Sequence, residues 1–276
     1  MKMALIFRLR QWSLLGLLLV VGFGSVSGCA TRSSGVGQSV TASEIVTASD
    51  EPDARKRARI RLELAVGYFE QGQTTVALDE LKQSIAADPN YGEGYNLRGL
   101  IYMRLNDFQV AEESFRKALA MNPRDSNVMH NLGWLLCQQT KYTDSTQFFL
   151  RALENPLYGE RAKSFRALGL CQARAGLKSE AELSLQKSYE FDAGNPVTAY
   201  NLAGLLVARG DFSRAQFYIR RLNNSELANV ESLWLGIKIE RRLDNRDAML
   251  QLATQLMKRY PQSREAIAYQ RGSFDE

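Results

Sequence analysis

From residue 58 to residue 262 a pattern of small and apolar side chains returns about every 34 residues. No other feature of the chain restricts its fold as much. The clearest copy runs from Gly92 to Asp125. Its first half holds Tyr95, Gly99 and Tyr102 at spacings of four and three, which puts them on one face of a helix. A turn at Leu105–Asp107 follows, and then Ala111, Phe115 and Ala118 repeat the helical spacing before Pro123 ends the unit. Small Gly99 and Ala111 let the two helices approach closely, and Tyr95, Tyr102 and Phe115 fill the space around that approach.

The same template fits five more times. The unit from Ala58 carries Leu64, Ala65, Tyr68, Ala77, Leu81 and Pro89; the unit from Ser126 carries Leu132, Gly133, Leu136, Ser145, Phe149 and Ala152. The fourth, from Ala162, has Phe165, Leu168, Gly169, Ala181 and Leu185, and the fifth, from Pro196, has Leu202, Ala203, Leu206, Ala215 and Ile219. The sixth, from Asn229, has Leu235, Gly236, Ile239, Ala248 and Leu252, with Pro261 closing it. Starts at 58, 92, 126, 162, 196 and 229 lie 34, 34, 36, 34 and 33 residues apart. Nothing alternates convincingly at period two, so the expectation is all-α with no sheet. Residues 263–276 are read as a C-terminal cap and tail, with a solvating helix over Ser263–Tyr269.

This unit resembles the tetratricopeptide repeat: an aromatic, a small residue and Tyr on the first helix, then Ala, an aromatic, Ala and Pro on the second. The resemblance implies a right-handed superhelical solenoid of six helix-turn-helix repeats over residues 58–262, its concave face lined by the first helices. On the template that face takes the second, fifth, ninth, twelfth and thirteenth residues of each unit. Read off here, it holds Leu62, Val66 and Phe69, then Asn96, Leu100 and Met103, then His130 and Trp134. Two readings of this strip are open. It is either packing between neighbouring first helices or an exposed groove for an apolar or amphipathic partner segment. A carboxylate clamp of the chaperone-binding kind is disfavoured, because Leu62 and Val66 stand where polar groups are needed. Units four and five present a more mixed surface, with Lys163, Arg166 and Arg174, then Val197, Tyr200 and Val207.

Ahead of the repeats, Lys2, Arg8 and Arg10 precede an apolar run from Leu14 to Phe23. A run of that length is too short for a transmembrane helix, which needs roughly 20 residues, and suits a secretory signal. Val26-Ser27-Gly28-Cys29 resembles the lipobox of bacterial lipoproteins. That resemblance implies removal of residues 1–28 and acylation of Cys29, and multiple acyl chains make a stable anchor. The alternative is an ordinary cleaved signal with a chance cysteine. Residues 29–57 then form the lipidated Cys and a flexible tether, rich in Ser, Thr, Gly and Ala over residues 30–52. The signal holds three basic and no acidic residues, so the processed chain is nearer neutrality than the full chain's +5. No nucleic-acid partner is expected without a clustered basic face. The short run Arg55, Lys56, Arg57, Arg59, Arg61 is either a solvated helix face or a contact with anionic head groups.

His130 is the only histidine. That removes the usual general base, most zinc sites and most nucleophile–base pairs. No phosphate loop, GxSxG elbow or HExxH motif is present, and the carboxylates are scattered as on a solvated surface. The expectation is a chain with no catalytic residues, no metal site, no cofactor and no small-molecule substrate. Cys137 and Cys171 fall on neighbouring first helices, either bridged or as two separate buried thiols.

Signal, tether and six repeats together resemble the PilF/PilW type IV pilus biogenesis lipoproteins. Asn131-Leu132-Gly133-Trp134-Leu135-Leu136-Cys137 is similar to that family's third first-helix, and Gly169-Leu170-Cys171-Gln172-Ala173 to its fourth. The resemblance implies a pilotin that binds secretin subunits and promotes their outer-membrane delivery and multimerisation. It also implies Cys29 as the lipidation site, Cys137–Cys171 as a disulfide, and the groove of units one to three as the secretin surface. Ala30 follows Cys29 where inner-membrane lipoproteins carry aspartate, which implies anchoring at the periplasmic face of the outer membrane. The alternative is a scaffold on the same fold serving outer-membrane protein assembly or cell-wall hydrolases.

Overall fold

The computed structural model describes residues 50–274, and over them the chain is helical. Six antiparallel pairs follow in order: α1 (Asp53–Glu70) with α2 (Thr74–Ala87), α3 (Gly92–Arg104) with α4 (Phe108–Met121), and α5 (Ser126–Gln138) with α6 (Tyr142–Glu154). Then come α7 (Arg161–Arg174) with α8 (Lys178–Phe191), α9 (Pro196–Arg209) with α10 (Phe212–Asn223), α11 (Val230–Arg242) with α12 (Arg246–Arg259), and last α13 (Arg264–Arg271). Each pair packs on itself and on the next pair, so the core is a continuous chain of small hydrophobic clusters rather than one centre. This is the expected all-α tetratricopeptide solenoid of six repeats.

Close approach within a pair rests on small residues. Ala65 and Ala77, Ala111, Ser145, Ala181, Ala203 and Ala215 are fully buried at these crossings. Phe115, Phe149, Leu185 and Ile219 fill the equivalent place on successive second helices and are also fully buried. The turn inside each pair uses one device six times. Gly72, Asn106, Thr140, Gly176, Gly210 and Asp244 have positive φ, and the next residue's N–H returns to a carbonyl five residues back, as Asp107 does to Tyr102 and Lys141 to Leu136. Several second helices start on a side-chain cap, as where the Asp107 carboxylate accepts from the Val110 N–H.

The first helix begins at Asp53, inside the stretch assigned to the tether, with Pro52 at its N-cap. The basic run begins in this extra turn. Arg55 pairs with Asp88 and lies over the Tyr91 ring, Arg59 bonds Glu51 and Glu63, and Arg61 bonds Glu80 at 2.7 Å. Three of the five cations are thus occupied within the fold, and Lys56 and Arg57 face solvent. At the other end α13 closes the stack on Ala266, and the tail turns back at Gly272 so that Phe274 stacks on Trp234. Among the described residues no helix is long and apolar enough to cross a membrane.

Candidate functional site

The strip read from the template lies on α1, α3 and α5, and its members divide by burial. Val66 is exposed at 36%. Phe69, Leu100, Met103 and Trp134 are half-buried in the seams between successive first helices. Arg104 lies over the Phe69 ring and Arg174 over Trp134, each cation coming from a later repeat. Asn96 accepts a hydrogen bond from the Asn131 amide at 2.9 Å, and Gln138 meets Met103 Sδ at 3.5 Å. The strip is a partly covered seam whose edges reach solvent.

Leu62 and His130 do not belong to an open groove. Leu62 sits in the α1–α3 core with Leu97 and Ile101. His130 is 5% exposed, with Nδ1 2.7 Å from Ser164 Oγ and its ring edge-on to Phe149. The Ser164 hydroxyl in turn donates to Tyr158 Oη at 3.1 Å. Burial, then Lys163 and Arg166, push the imidazole pKa down to about 3, so it is neutral at ordinary pH and fixed as a packing element. The reason for both corrections is the same. Each first helix reaches the next some 35 residues on, and the inner edge of the template face turns toward that neighbour.

Cys137 and Cys171 are bridged, joining α5 to α7 across a Cα–Cα distance of 5.8 Å. Both are buried, with Ser145 Oγ 3.3 Å from the Cys171 sulfur. Cys29 lies outside the described residues.

Two acidic residues escaped the reading of scattered surface carboxylates. Glu240 on α11 is fully buried, held by Arg220 Nε at 2.6 Å and by Gln216 Nε2 at 2.7 Å. Glu182 on α8 is 7% exposed and takes Arg209 at 2.8 Å and Arg214 at 3.1 Å. Each ties its repeat to the adjacent one. A signal for Glu240 was present: the twelfth place of the other units holds Phe69, Met103, Cys137, Ala173 and Val207, all apolar. Among the described residues no group of three His, Cys, Asp or Glu side chains is placed to hold a metal ion.

Comparison with known proteins agrees with this geometry. The tetratricopeptide repeat model matches residues 62–126 and 96–159. Type IV pilus assembly protein PilF of Pseudomonas aeruginosa is 28% identical over 209 residues, 76% of this chain and 83% of that protein. The solved structure of P. aeruginosa PilF superposes with a TM-score of 0.72 at 27% identity, covering 80% of this chain and 100% of that one. PilW, a widely conserved type IV pilus biogenesis factor, gives 0.68 at 27% identity, covering 77% and 97%. The chain is a tetratricopeptide repeat protein homologous to PilF and matching PilF and PilW in structure.

Proposed function

We propose that this protein is a non-catalytic scaffold of type IV pilus biogenesis, anchored by lipid on Cys29 at the periplasmic face of the outer membrane, where it binds secretin subunits and promotes their multimerisation. The observation that carries the reading is the extent of the likeness: PilF and PilW are matched over 100% and 97% of their solved chains, so the relationship covers the repeat stack and not one generic unit. A lone buried neutral histidine and carboxylates tied up in inter-repeat ion pairs fit a role in binding rather than chemistry. The secretin surface is assigned to the seam edges at Val66, Phe69, Leu100, Met103 and Trp134, which keep apolar area in reach of solvent.

The test is genetic. Deleting the gene should abolish heat-stable secretin multimers on gels, and a Cys29→Ser chain should leave monomeric secretin outside the outer-membrane fraction. Normal multimers in the deletion strain would overturn the proposal.

A further inference from the structure

Neighbouring first helices pack on one another at most steps of the stack, α1 on α3, α3 on α5, α5 on α7 and α9 on α11. Between α7 and α9 that packing is thinnest. A cleft of about 210 Å³ opens there, with Ala173 of α7 on one side and Tyr200, Gly204 and Leu205 of α9 on the other, over Leu185 and Leu235. Gly204 keeps it open: a Cβ built at that position meets nothing within 4 Å. Sites for small molecules run to roughly 300–1,000 Å³, so this cleft has the size for one or two side chains of a larger partner.

Charge around the cleft is one-sided. Helices α5, α7 and α9 contain no Asp or Glu at all. Along α7, Lys163, Arg166 and Arg174 recur at spacings of three and eight and so share a face. Among the described residues no carboxylate pairs with Lys163 or Arg166, whereas Arg161 of the same helix is used up on the Leu153 and Asn155 carbonyls. Both free cations act on the buried His130 ring, so their field reaches across to α5. Beyond Tyr200 the sign reverses, with Glu231 in the first turn of α11 and Glu265 in the first turn of α13.

We infer that the α7–α9 cleft is a second binding site, for a peptide segment that lays carboxylates over Lys163 and Arg166 and inserts one apolar side chain above Gly204. The field fixes its direction: the acidic part lies over α7, and the part past Tyr200 is neutral or basic. This site is separate from the α1–α5 seam and does not depend on secretin being the partner.

Fluorescence anisotropy on the purified full chain tests it, with a labelled synthetic peptide of about ten residues bearing two adjacent carboxylates and, three residues on, a leucine. Binding should weaken about tenfold or more when the carboxylates become carboxamides, and similarly when leucine becomes alanine. Lys163→Glu with Arg166→Glu should cause the same loss, and Gly204→Met should fill the cleft and block the peptide. Lys163 is exposed, Arg166 is part-exposed, and neither makes an ion pair among the described residues, so the charge variants keep the fold even if Gly204→Met does not. No binding by the acidic peptide, or equal binding to the charge-reversed chain, would overturn the inference. Normal secretin multimers in the deletion strain, with peptide binding intact, would count against the pilus reading alone.

Discussion

A Cβ built on Gly99 stands 2.4 Å from Cε1 of Phe115, inside the contact surface of a ring that is itself fully buried. The α3–α4 crossing can therefore accept hydrogen and nothing larger at residue 99. Gly99→Ala should lower stability by up to about 2 kcal/mol, because overpacking of about 1–3 kcal/mol outweighs the ~1 kcal/mol that alanine gains in a helix. Gly133→Ala, with its nearest atom at 3.2 Å, should cost less, and Gly67→Ala, with nothing within 4 Å, should stabilise. Urea midpoints at constant slope measure all three.

Thr140 occupies the turn position where three repeats use glycine, with φ of 61°. A β-branched residue in the left-handed region is an outlier among such turns, where Asn106 and Asp244 are the other non-glycines. Its side chain is exposed, so nothing is lost with it. Thr140→Gly should raise stability by about 1 kcal/mol, the left-handed strain relieved less glycine's entropy in the unfolded chain. Gly176→Thr, the reverse change in the next repeat, should shift the midpoint the other way.

These two positions show what was legible in the sequence. Gly99, Ala111 and Phe115 announced the helix crossing because small and large residues recur in register, and helix starts at 92, 126 and 196 fell where the template put them. The functional face was less legible. A template position says which way a side chain leaves its own helix, but whether water or the next helix lies there depends on how far successive repeats rotate. Leu62 and His130 turned inward under α3 and α7, while Gly204 was left open because α7 and α9 part. The place of Glu240 in its unit signalled burial, but its partners were hidden: Arg220 and Gln216 lie 20 and 24 residues earlier on another helix, at no repeating interval.

The Cys137–Cys171 bridge closes a loop with a sequence separation of 34 between the third and fourth repeats. In the chain-entropy model a loop of that size contributes about 4 kcal/mol. Cys137→Ala with Cys171→Ala should lower the urea midpoint by an amount of that order, with the α5–α7 seam losing hydrogen-exchange protection first. Both sulfurs are buried, so dithiothreitol should fail to reduce the folded chain and succeed once urea opens it. Alkylation followed by peptide mass spectrometry distinguishes these outcomes.

His130 makes stability depend on pH in a window that belongs to it alone. Its folded pKa is pushed down to about 3, from an ordinary value of 6.5, by burial first and then by Lys163 and Arg166. The unfolded chain therefore takes up the proton first, and the stabilisation, complete above pH 6.5, drains away as pH falls toward 3. The slope approaches about 1.4 kcal/mol per pH unit, or about 2 kcal/mol between pH 6.5 and 5. Carboxylates enter only lower down. Arg55 holds Asp88 below its usual range, and Glu112, though raised by burial, is held low by Arg116 and Lys141. With one histidine in the chain, His130→Gln should flatten the curve from pH 6.5 to 5 while leaving the acid limb below pH 4 in place. Urea midpoints at pH 7, 6, 5 and 4 for both chains decide it, and parallel curves would show that the ring reaches water.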